Sequence, residues 1–200
     1  MMDAAANRPK RKTRSDVARN RERLLIAAKA AFAQDGARAT LDAVARKAGL
    51  GIGTLYRHFP TREALYEAVY RRDIEQLVAL SDDLSAVADP VEGLRRWLHA
   101  AIDMMATKKG MIAAFALGAD KTLPISARFN GTLTAELDRL LGRAVDSGRL
   151  GERMTAEELL LAVIGMCMLR DQPHWQASVM RLIDTLLDGM IQKGRAAPDG

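Results

Sequence analysis

Apolar side chains recur at helical spacing along almost the whole chain, and no stretch alternates with the two-residue period of a strand. From Ala18 onward Leu25, Ala28, Ala31 and Phe32 share one face while Arg19, Arg21, Glu22, Arg23 and Lys29 lie elsewhere, which predicts a helix that Asp35-Gly36 ends. Thr40 stands where a capping side chain is needed, ahead of LDAVARKA, whose inner face is Leu41, Val44, Ala45 and Ala48 and which Gly49 closes. A turn of Gly49-Leu50-Gly51-Ile52 then leads into a third helix from Gly53 to Phe59. Leu55 and Phe59 point inward together, and Pro60 stops it. Thr61 caps a fourth helix of about 20 residues with Ala64, Leu65, Ala68, Val69, Leu77 and Leu80 inside.

Farther along, Asp89-Pro90-Val91-Glu92 combines a capping aspartate, a proline at the first helical position and an early acid, so a helix should begin there and run to about Ala106. A shorter apolar piece, Gly110 to Gly118, follows. After Pro124 an amphipathic helix carrying Phe129, Leu133, Leu137, Leu140, Leu141 and Val145 should end at Gly148. Thr155 and Glu158 form a capping box that opens a helix apolar on nearly every side, and Pro173 opens a last one ending at Gly194. The expectation is an all-α fold of about nine helices. Its parts would be a flexible basic arm over 1–17, a small helical domain over 18–66 and a larger one over 67–195.

Composition narrows the class. A hydrophobic content of 48 % can fill a sizeable core, and the longest strongly apolar run, Leu159 to Leu169, is far short of the roughly 20 residues a membrane span needs. No apolar stretch follows the charged N-terminus as a signal peptide requires, so a soluble cytoplasmic protein with no membrane partner is expected. A lone cysteine, Cys167, excludes a disulfide framework and a multi-cysteine zinc site. Charge is uneven: residues 1–62 hold 14 Lys/Arg against 5 Asp/Glu, net +9, whereas 63–200 hold 16 against 20, net −4. The basic third is where a polyanion would bind, unless it is simply a solubilising segment.

Two short helices joined by a glycine-containing turn, behind a longer first helix, form the pattern of a DNA-reading helix-turn-helix. The first turn of the second short helix offers Ile52, Gly53 and Thr54, with Tyr56, Arg57 and His58 on the outward side. These residues, with Phe32, Gly36, Thr40, Ala45, Ala48-Gly49, Leu55, Phe59 and Glu63-Ala64-Leu65, resemble the tetracycline-repressor (TetR) family over about residues 19–70. The resemblance implies that Tyr56 and His58 bond backbone phosphates and that Thr54, Arg57 and the residues just before Thr54 face bases. It also implies phosphate contacts from Thr40 and Arg62 at two helix starts. Many members carry a polar pair where this chain has Gly51-Ile52, which leaves Ile52 for a thymine methyl or for packing.

Beyond about residue 70 no catalytic grouping is present: His99, His174 and Cys167 are far apart, and Cys167 reads as a packed core thiol. No enzyme activity and no cofactor or metal is expected. Ten methionines stand out, and a pocket lined by Trp97, Met104, Met105, Phe115, Phe129 and Met166 is a candidate site for a small-molecule effector, the competing reading being ordinary core packing. Leu159 and Val163, with Trp175, Val179, Leu182, Leu186 and Met190 on the last helix, suggest a homodimer interface. The family resemblance implies a four-helix bundle there, two reading helices one DNA turn apart on a palindromic operator, and release by ligand. The alternative is an all-helical small-molecule-binding protein or enzyme with an incidental basic N-terminus.

Overall fold

In a computed structural model, residues 14–116, 124–151, 154–169 and 174–191 are described, with residues 37, 106–116, 124–130 and 168–169 described by their backbone alone. These residues form eight α-helices: α1 (Arg14–Asp35), α2 (Leu41–Lys47), α3 (Ile52–His58), α4 (Arg62–Ser85), α5 (Pro90–Ala116), α6 (Pro124–Asp146), α7 (Ala156–Leu169) and α8 (Trp175–Met190). A single 3-10 turn, Gly36–Arg38, follows α1. The all-α expectation holds, with two differences in detail. The helix expected to stop near Ala106 and the piece expected over 110–118 are one helix, α5: no proline intervenes, and an interior glycine such as Gly110 costs only about 1 kcal/mol against alanine. Helix α1 begins at Arg14 rather than Ala18. Its first turn carries Asp16, which suits a helix N-terminus and lies 3.8 Å from Arg19. Val17 there is exposed, so no buried apolar residue marked that turn in the sequence. The rest of the expected arm, the proline start of the last helix and its end at Gly194 lie outside the described residues.

The caps are where the sequence placed them. Thr40 and Thr61 accept hydrogen bonds from the backbone N–H groups of Ala43 and Ala64, each at 3.1 Å. The Asp89 carboxylate accepts from Val91 and Glu92. Thr155 and Glu158 close a reciprocal box, the Thr155 N–H donating to the Glu158 carboxylate at 2.8 Å and the Glu158 N–H to the Thr155 hydroxyl at 3.2 Å.

Two hydrophobic cores result. The smaller is built by Leu24, Ala28 and Phe32 of α1, Val44 and Ala45 of α2, Leu55 and Phe59 around α3, and Leu65, Tyr66 and Val69 of α4. The larger begins one residue later, with Tyr70, Ile74, Leu77 and Leu84 of α4, and takes in α5, α6, α7 and α8. The boundary expected at 66/67 therefore falls inside a continuous helix, and the cores change hands between Val69 and Tyr70. Helix α5 approaches α4 closely at Gly93, where a Cβ would sit 3.0 Å from the Leu84 carbonyl oxygen.

Trp97 stands at the centre of the larger core, fully buried, its indole N–H donating to the Leu77 carbonyl at 3.0 Å. Polar seams close the outside of that core. Arg143 of α6 donates to the Leu84 and Val87 carbonyls at the end of α4, favourable for a cation at a helix C-terminus. Arg95 of α5 bonds Asp184 at 2.7 Å and Asp188 at 2.6 Å, and His99 lies 2.8 Å from Asp184. Burial opposes ionisation of Asp184, yet the bonds from Arg95 and His99 outweigh it and hold the carboxyl below its usual range. No described helix is long and apolar enough to cross a membrane. Trp97→Ala should lower the unfolding free energy by roughly 3–5 kcal/mol in a denaturant titration. An unchanged midpoint would mean that Trp97 borders ligand space rather than filling the core.

Candidate nucleic-acid interface

Helix α2 ends where Gly49 takes φ +63°, a left-handed conformation that glycine enters without strain. The Leu50 N–H returns to the Ala45 carbonyl at 2.9 Å, which tightens the turn, and Gly51 in an extended conformation starts α3. Arg23 of α1 reaches this turn from outside, its guanidinium 3.4 Å from the Gly49 carbonyl oxygen. At the other end of α3 the Phe59 N–H bonds the Leu55 carbonyl at 2.8 Å, and both side chains are buried against α1 and α4. Arg21 of α1 lies over the Phe59 ring at 4.8 Å. The short α3, seven residues, is thus held at both ends by α1 as well as from behind.

Its outer surface is left free. Ile52 is 38 % and Tyr56 49 % exposed, Gly51, Gly53 and Arg57 are exposed, and Thr54 and His58 are half-buried at the margins. Thr40 begins α2 and Arg62 begins α4, so the two sit at helix N-termini where backbone N–H groups and the helix dipole favour an anion. The Arg62 guanidinium also lies over Phe32 at 5.6 Å. The aromatic packed beside Phe32 is Tyr66, with ring centroids 6.2 Å apart, which leaves Tyr56 outward. Every residue singled out in the sequence for DNA contact therefore belongs to one small unit, and Arg21 and Arg23, which read only as polar positions of α1, join it through contacts that no helical period reports.

The other two candidate groups are more dispersed. Trp97, Met104 and Met105 belong to the core, Met166 packs at its edge, and the side chains of Phe115 and Phe129 lie outside the described residues. A cleft of about 610 Å³ opens instead between α4 and α6, lined by Ile74, Val78, Ala79 and Thr132 with Arg71, Glu75 and Asp82 at its charged margin. Of the expected interface residues, Leu159, Val163, Val179 and Met190 turn into the core of their own chain. Leu182 stays 44 % exposed, Trp175 and Leu186 half-buried, and Leu161 of α7, which the sequence reading did not single out, is 59 % exposed. Leu182 and Leu186, with Thr185, Gly189, Met154 and Met190, border a second cleft of about 510 Å³.

This arrangement, a helix-turn-helix mounted on a separate helical body, defines a DNA-binding regulator. Residues 24–69 match the model of bacterial regulatory proteins of the tetR family, and residues 89–192 match that of the SbtR-like transcriptional regulator C-terminal domain. A solved TetR transcriptional regulator from Streptomyces coelicolor is 35 % identical, with 87 % of this chain and 99 % of that one aligned at a TM-score of 0.70. Another from Mycobacterium vanbaalenii is 28 % identical over 90 % of this chain and 99 % of that one, at a TM-score of 0.67. The HTH-type transcriptional regulator UidR of Escherichia coli is 33 % identical over 75 residues, which are 37 % of this chain and 35 % of UidR's own length. The chain belongs to the TetR family of DNA-binding transcriptional regulators.

Thr40→Ala and Thr61→Ala should each reduce stability by about 1 kcal/mol, since each removes the acceptor for one orphan N–H at a helix start. Chemical denaturation of the two single variants and the double variant measures it, and a loss below a few tenths for either would show that water satisfies that N–H equally well.

Proposed function

We propose that the protein is a dimeric repressor that leaves a palindromic operator when a small molecule binds its helical body. The exposed face of α3 carries the reading: Thr54 and Arg57, with Gly51, Ile52 and Gly53 before them, lie on or just ahead of the second helix of the helix-turn-helix, whose outer side is open to solvent. The first turn of such a helix meets base edges in the major groove, and a guanidinium there suits the paired acceptors of guanine. Tyr56, His58, Thr40 and Arg62 surround it at positions suited to phosphates, which set register without reading sequence. The net charge of +9 on residues 1–62 supplies the salt-dependent part of the affinity.

Dimerisation is supported by apolar surface that one chain leaves open. Leu161 and Leu182 are large, exposed and on the two helices that end the fold, and the cleft beside Leu182 and Leu186 is bordered mainly by apolar groups. A two-fold pairing of that face gives two reading helices in fixed relation, as a palindrome needs. For the effector, the cleft between α4 and α6 has the size of a small-molecule site and lies on the helix that also carries the DNA-binding unit. A ligand bound there releases DNA to the extent that it favours one orientation of α4 over another.

Arg57→Ala should weaken binding to a DNA site selected from a random pool by roughly 1–3 kcal/mol in fluorescence anisotropy, with non-specific binding nearly retained. Equal affinity of the wild-type chain for all sequences would overturn the repressor reading. Leu182→Glu should shift the sedimentation mass from dimer toward monomer, and a wild-type protein that sediments as a monomer at micromolar concentration removes the two-fold model.

A further inference from the structure

Among the described residues, Asp73 and Ser81 are the buried polar side chains, and both lie on α4. Ser81 faces α6, where its hydroxyl donates to Glu136 and accepts from Arg139 at 2.7 Å. Asp73 faces α1 instead. It lies just past the point at which the cores change hands, and its side chain is only 3 % exposed. The partner is Lys29 of α1, whose ammonium donates to the carboxylate at 2.6 Å. The preceding residue, Arg72, pairs with Glu22, also on α1. Burial first, and the Asp73 charge second, push the neighbouring Tyr70 phenol up to about 12, so the carboxylate acts on its surroundings through a medium poorer than water.

Magnitudes argue that such a contact does not serve stability. The pair is buried on one side only, Lys29 being 37 % exposed and Asp73 3 %; exchanging such a pair for well-packed apolar side chains is often neutral or stabilising, whereas removing Lys29 strands the buried carboxylate. What apolar packing lacks is direction: it rewards area removed from water and is indifferent to modest rotation of one helix over another. An ion pair fixes a distance. Glu22 and Lys29 are seven residues apart on α1, roughly 10 Å, yet they land on adjacent residues of α4, so two separated points of α1 are held to one place on α4, a restraint on the crossing angle beside the packing of α1 on α5.

We propose that the Lys29–Asp73 pair, seconded by Glu22–Arg72, is a positioning contact that sets the tilt of the DNA-reading unit on α4 and thereby the spacing of the two reading helices across the dimer. The inference rests on the dimeric operator-reading function proposed above. Eleven residues of α4, about 16 Å, separate Asp73 from Arg62 at the helix start, so a tilt of roughly ten degrees moves that end by about 3 Å. That is close to the base-pair step of about 3.4 Å, which makes half-site spacing sensitive to the angle.

The test uses the full-length chain and DNA sites that the wild-type protein selects from a random pool, together with the same half-sites moved apart or together by one and two base pairs. The variant is Lys29→Met/Asp73→Leu, which replaces the charges by apolar groups. Its thermal midpoint should stay within a few degrees of wild type, while affinity for the selected spacing falls by about tenfold or more, the order of one lost base contact. The preference for that spacing over the altered ones should flatten. Lys29→Gln/Asp73→Asn, which keeps a hydrogen bond without the charges, should give an intermediate loss. Glu22→Gln at the half-exposed pair should cost roughly two- to threefold. A folded variant with wild-type affinity and spacing preference overturns the proposal. Failure of both double variants to fold overturns it too, because the pair would then be a stability contact. Failure of the repressor reading itself would appear in the wild-type chain, as absence of a selected sequence or a monomeric mass, and not in the variants.

Discussion

Helix α4 buries Leu65, Tyr66 and Val69 in one core and Tyr70, Ile74, Leu77 and Leu84 in the other, and it does so without a break. Neither core is complete without this helix, and an α-helix of 24 residues does not bend easily over a single turn. The DNA-reading unit and the body are therefore two hydrophobic clusters on one rod. A change in how the body packs against the lower part of the rod bears on the orientation of the upper part, both along α4 and through α5, on which α1 and the Gly36–Arg38 turn pack. The N-terminal unit and the body are joined by this shared burial and also by direct packing of α1 and the Gly36–Arg38 turn on α5.

Polar interactions are distributed in keeping with that constraint. Most ion pairs are partly or well exposed and close the seams between helices, as Arg95 does with Asp184 and Asp188, or Arg139 with Asp82 and Glu136; exposed pairs of this kind contribute on the order of 0–1 kcal/mol each. The buried polar side chains sit on α4 itself, Asp73 toward α1 and Ser81 toward α6. Apolar area supplies the stability of each core, while these directional contacts restrict which way the rod may turn. Helix α3 is treated likewise: Leu55 and Phe59 supply its burial, and Arg21 and Arg23 attach its two ends to α1.

Much of the candidate site was readable along the chain, because short-range chemistry builds it. Thr40, Gly49, Pro60 and Thr61 mark a short helix, a turn, another short helix and a fresh start within a window in which each signal acts over a few residues. The outward positions of Tyr56 and Arg57 follow once Leu55 and Phe59 are assigned inward. The body was less legible. An all-round apolar helix such as α7 does not declare which of its faces meets its own core, and the broad stripe on α8 mixed residues that turn inward, Val179 and Met190, with one that stays out, Leu182. The methionines likewise could be core or pocket, and Met104 and Met105 proved to be core.

What the sequence determined by itself was the all-α class, the caps at Thr40, Thr61, Asp89 and Thr155, the basic N-terminal unit and the residues on its outer face, since helical period, capping and turn geometry are all local. Tertiary structure alone decided that α5 runs on past Gly110, that the two cores divide between Val69 and Tyr70, and that Lys29 meets Asp73 across 44 residues of chain. Those outcomes depend on which faces bury each other, and burial is set by partners distant in sequence whose choice no local period encodes.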